Sequence, residues 1–239
     1  MDMTSQLVAL CHKASDPEAL ARFWAGLLHR EVADDRRTVL PNDRVEFPIR
    51  FQRSSEPRRR PNQVHLHLTS TSPTDQESTV ARALGLGGAH LDVGQRPEEG
   101  HIVLADPEGD EFCVIEPGNA YLAGCGFLAE LAGDGSRQVG CFWSEALGWP
   151  LVWDQDEETA IQSPLGGAKI AWGGPPITPR SGLNRMHLDL APSPGTDGEA
   201  EMERLLALGA TRLGDSQCDR AAVAMADPDG NEFCLFETR

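Results

Sequence analysis

The sequence predicts an α+β protein made of four βαβββ modules, and two observations support this prediction. Three landmarks of the first half return in the same order about 120 residues later, which indicates an internal duplication. Helical and strand-like periodicities also alternate in the same order within each half. The landmarks are Phe23-Trp24 and Phe142-Trp143, His65-Leu66-His67-Leu68 and His187-Leu188-Asp189-Leu190, and the turns Asp106-Pro107-Glu108-Gly109 and Asp227-Pro228-Asp229-Gly230.

The first half accounts for two modules. It opens with an apolar, strand-like stretch at 7–11, and Asp16-Pro17 then supplies a helix N-cap and a first-turn proline. Four apolar residues follow at the spacing of one helix face. A second helix is predicted over 75–84, where a group of glycines ends it. The apolar helix positions are Leu20, Phe23, Trp24 and Leu27, and the remaining predicted strands lie near Val32, near Val39 and at 49–52, 64–68, 101–105 and 111–116.

The second half repeats this order with different residues. Its last helix is expected to stop at Gly209, because glycine readily adopts the left-handed conformation that ends helices. Its first helix carries Val139, Phe142, Trp143 and Ala146, and Met202, Leu205 and Leu206 mark its last helix. Its strands are predicted at 151–153, 159–162, 168–172 and 186–190 and on both sides of the turn at 227–230.

The boundary between two predicted domains falls at Pro117-Gly118-Asn119. It separates residues 5–118 from residues 121–238, and each part has an ordinary domain size. Because the linker is short, we expect the two domains to pack against each other. Association of two chains into a homodimer stays open.

Composition and charge exclude several classes of protein. The formal net charge is −16, and both halves are acidic, which argues against nucleic-acid binding and is compatible with a cationic ligand, above all in the more acidic second half. No apolar run reaches the roughly 18 residues of a membrane span, and no export signal is visible. The six cysteines include no C-x-x-C pair, so we expect reduced cysteines and a cytoplasmic location.

The landmarks together resemble the vicinal oxygen chelate superfamily, which includes glyoxalase, bleomycin-resistance and extradiol dioxygenase-like proteins. The resemblance covers nearly all of both halves. It implies that the four modules form two glyoxalase-like cup domains. In active members each cup holds a divalent metal that binds two neighbouring oxygens of the substrate.

The resemblance also indicates where metal ligands should stand, and most of those positions do not match. Counting seven residues back from the helix-opening Asp gives Ala9 and Phe127 at the first ligand position, and neither can coordinate a metal. The second position keeps a histidine in both halves, and the last position, usually Glu, is cysteine. The matching residues are His65 and His187 at the second position and Cys113 and Cys234 at the last. We therefore expect no metal and no other cofactor, since a catalytic zinc normally takes three protein ligands.

Two neighbours of the retained histidines keep an irregular metal site open as an alternative. His67 and Asp189 lie two residues beyond them and so share their strand face. Because we prefer the metal-free interpretation, we expect the residues on these strand faces to bind an organic ligand and not a metal. The candidate ligand-binding residues are His65, His67, Glu111, Cys113, His187, Asp189, Trp172, Glu232 and Cys234.

The sequence leaves three functions open. The first is binding of a small organic molecule without metal, as in the bleomycin-resistance branch. The second is a metal-dependent lyase, isomerase or dioxygenase with unusual ligands, and the third is a scaffold whose cups are filled with side chains. Fold alone does not decide among them.

Overall fold

A computed structural model describes residues 4–56, 64–96, 98–177, 184–214, 218 and 222–236. Within these residues the chain forms fifteen strands and four helices. The predicted alternation of strands and helices is confirmed in both halves, but the strand predicted near Val32 is wrong, because this residue forms only an isolated bridge with Val39. Two short strands, at 89–90 and 211–212, add to the predicted elements. None of the described helices has the length and apolar character required for a transmembrane span.

The first half forms two modules, each with one helix. In the first module α1 begins behind Asp16, whose side chain accepts a hydrogen bond of 3.1 Å from the Ala19 amide, as an N-cap should. The first module consists of β1 (Ser5–Ala14), α1 (Pro17–Leu28), β2 (Thr38–Val39) and β3 (Ile49–Arg53). The second consists of β4 (Val64–Leu68), α2 (Pro73–Gly85), β5 (Ala89–His90), β6 (Ile102–Ala105) and β7 (Glu111–Val114).

The second half repeats the two modules. Its first helix begins two residues after the position expected from the sequence, with Ser136 and not Asp134 as the N-cap residue. The third module consists of β8 (Leu128–Gly133), α3 (Arg137–Leu147), β9 (Leu151–Gln155), β10 (Glu158–Gln162) and β11 (Lys169–Trp172). The fourth consists of β12 (Met186–Pro192), α4 (Gly198–Ala207), β13 (Thr211–Arg212), β14 (Ala222–Ala226) and β15 (Glu232–Phe236).

The strands form two mixed sheets, and each sheet takes one module from each half of the chain. Sheet A has seven strands in the order β13-β14-β15-β12-β1-β3-β2, so it joins the first and fourth modules. Sheet B has eight strands in the order β5-β6-β7-β4-β8-β11-β10-β9 and joins the second and third. The two modules of one half therefore do not share a sheet. The halves 5–118 and 121–238 each contribute to both sheets.

The physical reason lies in the first strand of each module. β1 pairs with β12 and β4 pairs with β8, both antiparallel, so each junction joins two first strands. β4 and β12 alternate apolar and polar residues, whereas β1 and β8 are mostly apolar, and these patterns do not specify which two strands pair. Side-chain periodicity fixes the face of a strand but does not identify its partner.

The repeated landmarks hold the two modules of each half together, although those modules belong to different sheets. The Trp24 indole Nε1–H donates to the Asp106 carboxylate at 3.3 Å, and Trp143 donates to Asp227 at 3.0 Å. All four side chains are buried. The Trp lies in the helix of one module, and the Asp lies in the turn before the last strand of the next module. The duplicated pair therefore links a helix packed on one sheet to a turn of the other sheet.

The third residue of each turn extends this link to the helix N-terminus. Glu108 accepts from the amides of Ser15 and Asp16 at 2.9 and 2.8 Å, and Asp229 accepts from the Ser136 amide at 2.6 Å. Carboxylates at this place satisfy free amides and complement the helix dipole. The turn glycines have φ values of 83° and 85°, which explains why glycine recurs there.

One junction between the sheets is ionic. His12 Nε2 lies 3.0 Å from Asp110, and Arg185 donates to Asp110 at 2.8 Å and to Glu108 at 2.6 Å. Burial raises the pKa of the neighbouring Asp106 to about 6, although the nearby His12 opposes the shift. This buried group joins the first, second and fourth modules.

Candidate functional site

Each sheet carries one cluster of the predicted site residues. In sheet B the parallel strands β4 and β7 set His67 opposite Cys113, and in sheet A β12 and β15 set Asp189 opposite Cys234. Residues two apart on a strand share a face, so each retained histidine joins its cluster. We call the first group, His65, His67 and Cys113, the sheet-B cluster, and the second, His187, Asp189 and Cys234, the sheet-A cluster.

The sheet-A cluster is occupied by side chains of the first module. Arg50 donates twice to Asp189 Oδ2, at 2.9 and 2.7 Å, and both side chains are buried. Cys11 donates to the Gln52 side chain at 3.2 Å beside them. A hollow of about 230 Å³ remains on this sheet, and Arg50 and Asp189 are part of its wall. Its other lining residues are Val8, Ala9, Thr38, Pro48 and Phe236.

A disulfide joins Cys218 to Cys234, so the expectation of reduced cysteines is wrong for this pair. The Cα atoms of the two cysteines lie 6.3 Å apart, within the range that a disulfide spans, although they are 16 residues apart in a sequence without a C-x-x-C pair. The Cys234 Sγ also lies 3.5 Å from His187 Nε2. Disulfides are rare in cytosolic proteins, so this one does not support the expected cytoplasmic location, which stays a prediction.

The sheet-B cluster belongs to a chain of hydrogen bonds that ends in a buried carboxylate. Glu130 accepts from the Tyr121 hydroxyl at 2.7 Å and from His67 Nδ1 at 2.6 Å. The remaining ring nitrogen of His67 lies 2.8 Å from His65 Nε2. Because Glu130 fixes the His67 proton on Nδ1, a neutral His67 accepts at Nε2 and His65 donates there. The four side chains thus hold one another in fixed orientations.

Burial shifts the pKa values of His65, Cys113 and Tyr121 in the direction that favours their neutral forms. Desolvation, assisted by the neighbouring His67, lowers the pKa of His65 to about 4. Burial, with Glu111 and Glu130 nearby, raises the pKa of the Cys113 thiol to about 12. Burial and the Glu130 carboxylate likewise raise the pKa of Tyr121. Around neutral pH the cluster therefore presents an uncharged imidazole, a thiol and a phenol beside one carboxylate.

A cavity of about 370 Å³ opens beside this network. Three aromatic side chains and three carboxylates stand in its wall, together with His65 and several small residues. Tyr121 and Trp153 meet edge to face, with ring centroids 5.5 Å apart. The lining residues are His65, Tyr121, Glu130, Ala132, Gly133, Asp134, Trp153, Glu158, Thr159, Ala171, Trp172 and Gly173.

The other predicted site residues lie around these two clusters. Trp172 lines the sheet-B cavity and also a space of about 40 Å³ between the sheets, which His187 and Glu232 share. Glu232 accepts from the Asn184 amide at 3.2 Å. Glu111 begins β7 and raises the pKa of Cys113, but it does not line the 370 Å³ cavity.

The sheet-B cluster offers donors of the kinds that zinc prefers. One donor atom each from His65, His67 and Cys113 can be chosen so that all three lie within 4.8 Å of one another. Glu130 holds the far nitrogen of His67, which is the usual arrangement behind a metal-bound histidine. The donor set therefore fits zinc, which would act there as a Lewis acid toward a bound oxygen. The cluster of Cys11, His187 and Asp189 meets the same distance criterion, but Arg50 lies against its carboxylate.

Two residues of this network were missed by counting along the sequence. The count back from Asp134 selected Phe127, whereas Glu130 is the residue of β8 that reaches His67. The later N-cap, Ser136, accounts for two of the three residues by which the count missed Glu130. Tyr121 lies in the linker between the modules, where its hydroxyl reaches Glu130 and no repeated pattern marked it.

The paired sheets and their corresponding clusters define a tandem protein of the vicinal oxygen chelate class. A sequence model of the glyoxalase-like domain matches residues 9–115 and again residues 131–236. The chain therefore belongs to the glyoxalase-like domain family, as the repeated landmarks indicated. No curated protein matches this sequence.

Solved structures with the same fold match almost the whole length of this chain. Glyoxalase I from Zea mays is 13% identical with a TM-score of 0.66, and the match covers 98% of this chain and 93% of that one. A Bacillus subtilis protein assigned as a dioxygenase is 14% identical with a TM-score of 0.60, covering 98% and 86%. At these identities the likeness establishes the fold and not the reaction.

Proposed function

We propose that this protein binds a small organic molecule in the 370 Å³ cavity of sheet B and that binding requires no metal. One observation carries the proposal: a cavity opens beside the sheet-B cluster, whereas the corresponding cluster of sheet A is occupied by Arg50. The volume lies within the usual range for ligand pockets, about 300–1,000 Å³. The aromatic walls and few fixed polar groups are also typical of such pockets.

The proposed activity is binding or sequestration without turnover. His65, Tyr121 and Glu130 line the cavity and are held by the hydrogen-bonded network, whereas His67 and Cys113 lie outside its lining. The Cys113 pKa of about 12 keeps its thiol protonated and poorly nucleophilic. Another hollow of about 410 Å³ lies beside α4. Its described lining includes no histidine, cysteine or tryptophan, so it offers fewer of the groups that fix a ligand.

The test is a ligand screen by thermal shift and intrinsic tryptophan fluorescence, with two matched variants. Ala132→Trp places a bulky ring in the sheet-B cavity, and Val8→Trp does the same in the hollow of sheet A. We expect hits that Ala132→Trp abolishes and Val8→Trp leaves unchanged. Hits that survive Ala132→Trp and disappear with Val8→Trp would place the binding site on sheet A and refute the proposal.

A divalent-metal enzyme is the second candidate, because His65, His67 and Cys113 can bring three donor atoms within 4.8 Å of one another. Elemental analysis of protein purified without chelator separates the two candidates. Metal-free binding predicts well below one equivalent of zinc, nickel, manganese or iron. Near one equivalent, lost in His67→Gln and kept in His187→Gln, would favour the enzyme.

A further inference from the structure

The wall of the sheet-B cavity combines aromatic rings with negative charge. We propose that the ligand is an organic cation, namely a small molecule with a methylated ammonium group. This inference rests on the function proposed above and specifies the chemical class of the ligand. It is supported by the aromatic wall, the charge of the lining and an ammonium group already placed against the same wall.

The aromatic wall has the arrangement that quaternary ammonium groups favour. Tyr121, Trp153 and Trp172 all line the cavity, and the first two meet at an interplanar angle of 81°. Aromatic faces attract cations through their quadrupole, and cages of such rings recognise methylated ammonium groups. A methylated ammonium group needs few hydrogen-bond acceptors, so apolar rings can replace its water at little cost.

The charge of the lining has one sign. Glu130, Asp134 and Glu158 line the cavity, and no Lys or Arg is among its described lining residues. Glu130 is buried and already accepts from Tyr121 and His67, so its charge is held in a fixed place. Glu158 is exposed at the rim. An anionic ligand would meet three carboxylates without a cationic partner in this wall.

The fold already places an ammonium group against this wall. Lys169 Nζ lies 3.9 Å from the centroid of the Tyr121 ring and donates to the Tyr121 carbonyl oxygen. Lys169 itself does not line the cavity. The lysine therefore occupies one side of Tyr121, and the two tryptophans remain for the ligand.

The decisive test compares choline with its neutral isostere 3,3-dimethylbutan-1-ol, in which carbon replaces the charged nitrogen. Binding is followed by tryptophan fluorescence into the millimolar range, with and without added salt. We expect saturable choline binding that salt weakens, and affinity for the isostere that is about tenfold lower, since the two differ only in charge. Equal or tighter binding of the isostere overturns the cation inference but leaves the proposed cavity intact.

Substitutions in the cavity wall test whether choline binds in the sheet-B cavity. Trp153→Leu and Glu158→Gln should each weaken choline binding several-fold, whereas Glu145→Gln removes an exposed carboxylate on α3 and should leave it unchanged. Ala132→Trp should abolish binding of both probes. Choline binding that persists in Ala132→Trp, or no choline binding at all while neutral hits from the screen do bind, refutes the cation inference. The absence of any cavity-dependent hit refutes the proposed function itself.

Discussion

The Arg50–Asp189 ion pair allows a quantitative prediction that the sheet-A cluster stabilises the fold. Arg50→Met keeps an apolar stem but removes both hydrogen bonds to Asp189, whose side chain is only 1% exposed. Leaving one partner of a buried pair unpaired typically costs about 3–5 kcal/mol. We therefore expect Arg50→Met to lower the free energy of unfolding by that amount.

The assay is urea unfolding followed by tryptophan fluorescence, with the slope against denaturant checked to be unchanged. The control is Arg137→Met, which breaks a pair with Asp154 whose side chains are 47% and 35% exposed. Exposed pairs contribute about 0.2–1 kcal/mol, so this variant should lose much less stability. Ligand binding in the sheet-B cavity should be the same in both variants.

A double variant tests whether the cost of Arg50→Met comes from the unpaired Asp189 charge. Combining Arg50→Met with Asp189→Leu removes both charges, and the double variant should recover most of the loss, because a buried pair and an apolar pair of similar volume differ little. A cost below about 1 kcal/mol for Arg50→Met alone, or a double variant as unstable as the sum of the single ones, would refute a structural role for this pair.

Three further predictions concern the rest of the molecule. The pKa of His65 is about 4 in the folded protein and 6.5 in its ordinary state, so the unfolded chain takes up this proton first as pH falls. We expect about 3 kcal/mol of stability to be lost between those pH values in the wild type but not in His65→Gln, measured by urea unfolding at several pH values. Cys113 should be alkylated by iodoacetamide much more slowly than the partly exposed Cys141, as judged by peptide mass mapping, and equal rates would contradict its raised pKa and burial. Trp143→Phe keeps an aromatic ring but removes the donor to buried Asp227, so thermal unfolding should show a loss of about 1–3 kcal/mol, and an unchanged midpoint would show that this link is not stabilising.

The sequence was sufficient to predict the elements because their signals are local. The apolar faces with Trp24 and Trp143 are buried as predicted, and the repeated turns lie where glycine needs a positive φ. Pairing of modules is not local. It depends on which first strands meet at β1–β12 and β4–β8, and the patterns of these strands do not specify this.

The candidate site was predictable only where it coincides with a repeated strand. His65, His67 and Cys113 are brought together because strand alternation and pairing with β7 follow from the pattern. The count along the sequence missed Glu130 by three residues, and the later helix start explains two of them. Tyr121 and the disulfide of Cys218 were missed because linkers and loops carry no periodicity that indicates where a side chain will point.

The exchange of modules between the sheets has a consequence for the order in which the molecule can assemble during synthesis. The second and third modules are neighbours in the chain, so sheet B becomes complete once β11 has left the ribosome. Sheet A must wait for the fourth module, because β1, the first strand of the chain, pairs with β12, the first strand of that module. Contacts of long sequence separation form late and slowly. We therefore expect sheet B, which bears the cavity, to form early during synthesis. Sheet A, which contains the Arg50–Asp189 pair and the disulfide, should form last.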